Sequence, residues 1–219
     1  MDFAVIADIV GSRRLADRGD AQLAIERTVL DVDRDYGRAV RRLVPTVGDE
    51  FQGVYGDLTS TLTALLLLQL RLPAHVEVRF GVGIGEVRSV ASTGDRAIED
   101  GPGWWAARQA IETVHRLEES RVPRARTWVT GGDAPAPETA AVLASVNAYL
   151  MVKDHLVGGM GDRARRLAYG TWLGRSQESL AAEEGVTQSA VSQALARSGS
   201  AALFLGLHEI SSNLPEGLK

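Results

Sequence analysis

The sequence contains no cysteine, which excludes disulfides, thiolate zinc sites and cysteine nucleophiles and accords with a reducing cytoplasm. It also lacks an excess of positive charge. Twenty-four Lys and Arg against 28 Asp and Glu leave a formal net charge of −4, so no global field draws the chain to nucleic acid. Any DNA contact must come from a local surface. The most apolar run, Leu62 to Leu72, falls far short of the ~20 residues that a membrane span needs. The N-terminal Met1 to Asp8 has no basic region and is interrupted by acids, unlike a signal peptide. The histidines His75, His115, His155 and His208 are scattered without the spacing of a zinc site. Repeats and low-complexity tracts are absent. The expectation is a soluble, cytoplasmic protein with no membrane partner.

What is present is ordinary globular material, 45% hydrophobic and 24% charged over 219 residues, enough for one domain with an appendage. Phe3-Ala4-Val5-Ile6-Ala7 is a continuous apolar run ending at Asp8, the pattern of a strand buried on both faces. From Ala21 to Leu43 apolar residues recur at helical spacing, predicting one long amphipathic helix with Asp20 as N-cap. Leu43 to Val47 and Phe51 to Tyr55 flank Gly48-Asp49-Glu50, the pattern of a β-hairpin. A helix over 57–71, capped by Asp57 and stopped before Pro73, follows. The strand Val76 to Gly85 then carries Gly81, Gly83 and Gly85, where a backbone or a ligand must approach closely. A helix over 104–117 and a strand at Thr127 to Thr130 complete the order β-α-β-β-α-β-α-β. That order predicts an α+β sandwich of helices on a mainly antiparallel sheet for residues 1–132. A connecting helix with a Gly-rich hinge fills 133–161, and 162–219 is purely helical in pattern.

Two features bear chemistry. Asp8 ends the first strand and Asp49 sits at the hairpin tip. Gly48-Asp49 alone suits a turn for backbone reasons, but an antiparallel arrangement brings the two carboxylates to one sheet edge. Two hard oxygen ligands suffice for Mg²⁺ when a nucleotide's phosphates complete its octahedron. Gly11 and Ser12, between strand and helix, would offer backbone N–H groups to those phosphates. Arg13 and Arg14 are candidate phosphate contacts, and Glu50 is a weaker metal candidate because Phe51 must face the core.

The second feature runs from Gln177 to Leu195 and has helix-turn-helix spacing. Ala181 is small where two helices cross, Gly185 supplies the turn, Val186 plugs it, and Val191 and Leu195 give the second helix its core face. Thr187 caps that helix. Its outward residues Gln188, Ser189, Ser192 and Gln193 suit adenine edges and phosphates, with Arg197 at its end. Arg163, Arg165, Arg166 and Arg175 lie upstream as candidate backbone contacts. So few cations imply weak binding by one copy, hence a homodimer.

At these residues the chain resembles known families. Phe3 to Gly11 resembles the first metal-binding segment of class III nucleotide cyclases, and Val47 to Phe51 resembles their second segment and the active loop of diguanylate cyclases. Arg79 to Val87 is similar to their glycine-rich strand, and Trp105 to Arg108 to the start of their late helix. The resemblance implies a palm-like, ferredoxin-like fold, a nucleotide and Mg as cofactors, Asp8 and Asp49 as metal ligands, and Arg108 as a phosphate-stabilising residue reaching across a dimer. It departs at Trp104, where cyclases carry Asn, and at Pro45, where they carry a base-reading Lys. Both departures remove donors that charge developing on a phosphoryl group requires. Over about residues 1–210 the chain is similar to the SatD family of bacterial proteins, through the Ala7 to Arg13, Gly48 to Gly53, Asp100 to Pro102 and Gln188 to Gln193 segments. Two function classes follow: a DNA-binding transcriptional regulator with a nucleotide-cyclase-like domain, or an Mg-dependent enzyme that processes nucleoside triphosphates.

Overall fold

The computed structural model describes residues 1–12, 18–46, 48–90, 98–132 and 135–219. Arg13 and Arg14 lie outside the described residues, as does Val47 at the hairpin. Strand β1 (Asp2–Ile9) is the middle of a five-stranded sheet of order β2-β3-β1-β4-β7. Its alternate residues Phe3, Val5, Ala7 and Ile9 face one core, and Ala4 and Ile6 face another. Burial on both sides is why the run is apolar throughout.

Helix α1 (Arg18–Tyr36) packs over the first core, and Gly37, at φ +56°, ends it. The chain then turns into β2 (Ala39–Pro45), so the expected helix to Leu43 is two elements. Asp20 lies in the first turn of α1 and is not its cap. Edge strand β2 shows one buried residue, Leu43, whose spacing from Val32 also suits a helix. Strand β3 (Glu50–Tyr55) pairs antiparallel with both β2 and β1, which bears out the hairpin.

Helix α2 (Leu58–Arg71) is capped as expected, with the Asp57 carboxylate accepting from the Ser60 N–H at 2.6 Å. Twelve of its 14 residues are buried, because its outer side is covered by α5 (Asp162–Trp172) and α8 (Ser200–Ser212). A helix enclosed all round reads as apolar all round.

Strand β4 (Val78–Gly85) lies antiparallel to β1. The connection β1-α1-β2-β3-α2-β4 with strand order β2-β3-β1-β4 is the ferredoxin-like arrangement that the sequence predicts. A short two-stranded sheet, β5 (Arg88–Val90) with β6 (Ile98–Asp100), follows. Helix α3 (Pro102–Ser120) then crosses the sheet to β7 (Thr127–Thr130), parallel to β4. The three glycines of β4 make room for α3 itself. A Cβ on Gly83 would lie 2.1 Å from the Ala107 nitrogen and the Gly103 oxygen, and one on Gly81 2.5 Å from the Ala107 oxygen. The close approach is therefore a backbone.

Helix α4 (Pro137–Gly158) covers the free edge of β7 with polar side chains. Asn147 bonds the Val129 N–H and carbonyl at 2.9 and 2.8 Å. Asp154 accepts from the Arg126 and Thr127 N–H groups at 2.8 and 2.7 Å, beside the buried Lys153. Helices α6 (Gln177–Glu184) and α7 (Gln188–Ser198) complete the elements before a terminal 3₁₀ turn at 216–218. The main core runs across residues 132 and 162: Leu143, Leu150, Leu203, Leu207 and Leu218 belong to one cluster with Phe3 and Phe51. No described helix is long and apolar enough to cross a membrane.

Candidate nucleotide cleft and DNA-reading helices

Antiparallel register sets Asp8 directly opposite Glu50 on β3 and Arg79 on β4. Side chains alternate along each strand, so Asp8 and Glu50 share the α3 face while Phe51 enters the main core. The Asp8 carboxylate accepts from Arg79 Nε at 2.8 Å and Nη2 at 3.3 Å. Arg79 is 8% exposed. It also donates to Glu118 at 2.8 Å and contacts the His115 ring, whose Nε2 lies 3.3 Å from Glu119. Burial works against the Arg79 charge, but its bonds to Asp8 and the field of Glu118 outweigh that and raise its pKa. Glu118 meets Arg126 as well, at 3.1 Å.

Glu50 holds the second pair. Arg108, on α3, donates to its two oxygens at 2.7 and 2.9 Å in bidentate fashion. Arg108 is half-exposed, and its pKa is raised by that bond to Glu50. Residue Arg108 thus engages a carboxylate of its own chain. Trp104 is buried against Ala4, Ile6 and Val54, and its indole N–H has no partner among the described residues. Trp105 is exposed and donates to Asp100 at 2.9 Å.

Gly11, Ser12 and Asp49 come together with Arg79, His115 and Glu118 around an open cleft of about 640 Å³. Asp8 is not among the residues that line it; its carboxylate is held by Arg79, which is. The sequence brings Asp8, Asp49, Gly11 and Ser12 to one end of the sheet, as the order of strands implies. It does not single out Arg79, His115 or Glu118. The signal for Arg79 was its place at the opening of the strand beside β1; His115 and Glu118 follow only from where α3 lies.

No group of three His, Cys, Asp or Glu among the described residues could hold a metal ion by itself. A carboxylate has about four lone-pair sites, and Arg79 takes two from Asp8. Any ion held there would have to take most of its shell from phosphate and water, not from a cage of protein ligands.

The second candidate site is built on a small separate core: Leu167, Leu180, Ala181 and Val191, with Val186, Ala194 and Leu195 packed against it. Gly185 caps α6 at φ +64°, the left-handed conformation that the turn requires. Thr187 caps α7, accepting from the Ala190 N–H at 3.2 Å. Every spacing read as helix-turn-helix has its structural counterpart. Thr187, Gln188, Ser189, Ser192, Gln193 and Arg197 are all exposed, forming one mainly polar face.

The upstream arginines are placed otherwise than expected. Arg166 donates to Glu184 at 2.6 and 2.7 Å, Arg163 lies 3.7 Å from the same carboxylate, and Arg175 pairs with Glu183. Arg165 is buried, where it donates to the carbonyls of Met160, Gln69 and Leu72. Their charges are absorbed by acids of α6 and by helix ends, which spacing along the chain does not show.

The sequence model of the SatD family matches residues 2–124. No curated protein matches the chain. Among solved structures it is similar to a bacterial light-regulated adenylyl cyclase, at 12% identity over 59% of this chain and 74% of that one, with a TM-score of 0.43. An adenylate cyclase of Trypanosoma brucei matches at 18% identity over 50% and 66%, TM-score 0.40. The guanylate cyclase domain of RhGC from Catenaria anguillulae, in complex with GTP, matches at 16% over 54% and 72%, TM-score 0.36.

Proposed function

The chain belongs to the SatD family, and from that premise we propose that it is a DNA-binding transcriptional regulator, working as a homodimer, with a nucleotide-cyclase-like domain. The observation that carries this reading is the polar, exposed face of α7 on a complete helix-turn-helix core. Gln188 and Gln193 would read base edges, while Thr187, Ser189, Ser192 and Arg197 would fix the register on phosphates. With the upstream arginines self-paired, one copy holds few phosphates, so a pair of half-sites about one helical turn apart is required. Fluorescence anisotropy against duplex DNA tests it. Gln188→Ala with Gln193→Ala should weaken binding to a preferred site by about 1–3 kcal/mol per lost base contact while non-specific binding persists. Wild-type protein without salt-sensitive duplex binding would sink the reading.

The cleft beside Asp8 favours a second role for the same molecule, that of a nucleotide sensor. Asp8 and Asp49 would hold Mg²⁺ through the nucleotide's phosphates, with Gly11 and Ser12 bonding phosphate oxygens. The ion would supply charge neutralisation when bound; the chain's own residues orient it. Arg108 would stabilise phosphate only after leaving Glu50. Turnover to a cyclic or linked product is the alternative, and Trp104 and Pro45 weigh against it. Calorimetry should show Mg²⁺-dependent nucleotide binding that disappears in Asp8→Ala and in Asp49→Ala. No binding of any common nucleotide by the wild type would contradict both versions, and mass spectrometry of incubated triphosphates separates sensor from enzyme.

A further inference from the structure

The cations around the helix-turn-helix fall into two groups. Arg163, Arg166 and Arg175 are paired with Glu184 or Glu183, and Arg165 is buried on carbonyl groups. Arg197 and Arg124 have no carboxylate partner among the described residues, and both line one open cleft of about 360 Å³ with His155, Gly159 and Gly161. None of the described residues lining it is acidic. In a chain of net charge −4, a pocket holding two unpaired guanidinium groups and no carboxylate is a local site for an anion.

The two arginines come from opposite halves of the molecule. Arg197 closes α7, one helical turn beyond Gln193 and on the same side. Arg124 comes from the turn between α3 and β7. Its side chain lies across the end of α4: a Cβ on Gly158 would come within 3.2 Å of its Cδ, and one on Gly159 within 3.1 Å of its Nη1. The same Nη1 donates to the His155 carbonyl at 3.3 Å. The two glycines thus clear the path along which Arg124 reaches the cleft, so the pair is not merely a hinge.

Dimensions connect the cleft to DNA. Gln188 and Arg197 are nine residues apart, ~13.5 Å of helix rise, against a major groove about 12 Å wide. With the first turns of α7 at base edges, its far end and the adjoining cleft reach the wall of the groove, where the sugar–phosphate backbone runs. We propose that Arg124 and Arg197, with His155 at the rim, form a phosphate site for the DNA backbone, built jointly by the sheet half and the reading helices. This inference rests on the DNA-binding reading, which already sets Arg197 on phosphate, and adds a second cation, Arg124, and the cleft the two share. It also makes the sheet half part of the DNA interface.

The test is the salt dependence of duplex binding by the full chain. Each phosphate contact contributes about 0.9 to the slope of log K against log salt, so Arg197→Ala and Arg124→Ala should each lower that slope by about one per protomer and weaken binding to all sequences alike. Arg124→Lys, which keeps the charge, should retain the slope, and thermal melting of Arg197→Ala should match the wild type. Salt-sensitive binding by the wild type with slopes unchanged in both alanine variants overturns the phosphate site and leaves the reading face intact. Wild-type protein with no salt-sensitive binding overturns both.

Discussion

At the scale of single residues, the decisive positions are polar groups whose partners lie far away in sequence. That Asp8, Asp49, Gly11 and Ser12 lie at one end of the sheet was legible because strand order alone brings those strand ends together. The roles of Asp154 and Asn147 were not, because these side chains satisfy the unpaired edge of β7, with Lys153 paired to Asp154, and nothing in α4 announces that edge. Tyr149, on the same helix, ties it to α8 by donating to the Leu203 carbonyl at 2.9 Å. Burial raises its phenol pKa well above the ordinary value. A raised folded pKa contributes stability that is intact below the unfolded tyrosine value of about 10 and is lost as the pH rises above it. Burial pulls Lys153 down and acts in the opposite sense, so the informative comparison is wild type against Tyr149→Phe. Urea unfolding between pH 8 and 11 should show the wild type losing up to ~1.4 kcal/mol more per pH unit above 10 than the variant. Equal slopes would place that phenol in water.

At the scale of elements, periodicity worked where an element has one apolar face and failed where tertiary cover changes the pattern. Asp57 opening α2, the β3 hairpin and the whole of β7 stand where the sequence places them. The expected helix through Leu43 breaks at Gly37 because Val40 and Leu43 suit an edge strand as well as a helix stripe. The glycines of β4 left open whether a ligand or a backbone comes close, and the answer is α3, seated directly on the strand. That contact also fixes Arg108 over Glu50 and His115 and Glu118 over Arg79. Gly83→Ala would push a methyl into the α3 backbone, which cannot yield as a side chain can. It should cost at least ~2–3 kcal/mol of unfolding free energy and weaken whatever binds the Asp8 cleft. A loss below ~0.5 kcal/mol would mean that α3 sits further from the sheet.

At the scale of the whole molecule, the sheet half and the C-terminal helices share one core, with α2 enclosed between them. The proposed nucleotide at the Asp8 end and the proposed duplex on α7 would therefore act on a single packed body. In the proposed homodimer, the separation of the two α7 helices would set the half-site spacing. Net acidity, self-paired arginines and the Arg124–Arg197 cleft together predict binding that is weak per protomer and steep in salt. The most direct measurement is enrichment of duplexes from a randomised pool by the 219-residue chain, followed by sequencing. The expected result is one enriched motif of two related half-sites, about 10 bp or a multiple apart, lost at raised salt and lost with Gln188→Ala and Gln193→Ala together. A retained pool with no enriched sequence, insensitive to salt and to those substitutions, would contradict it.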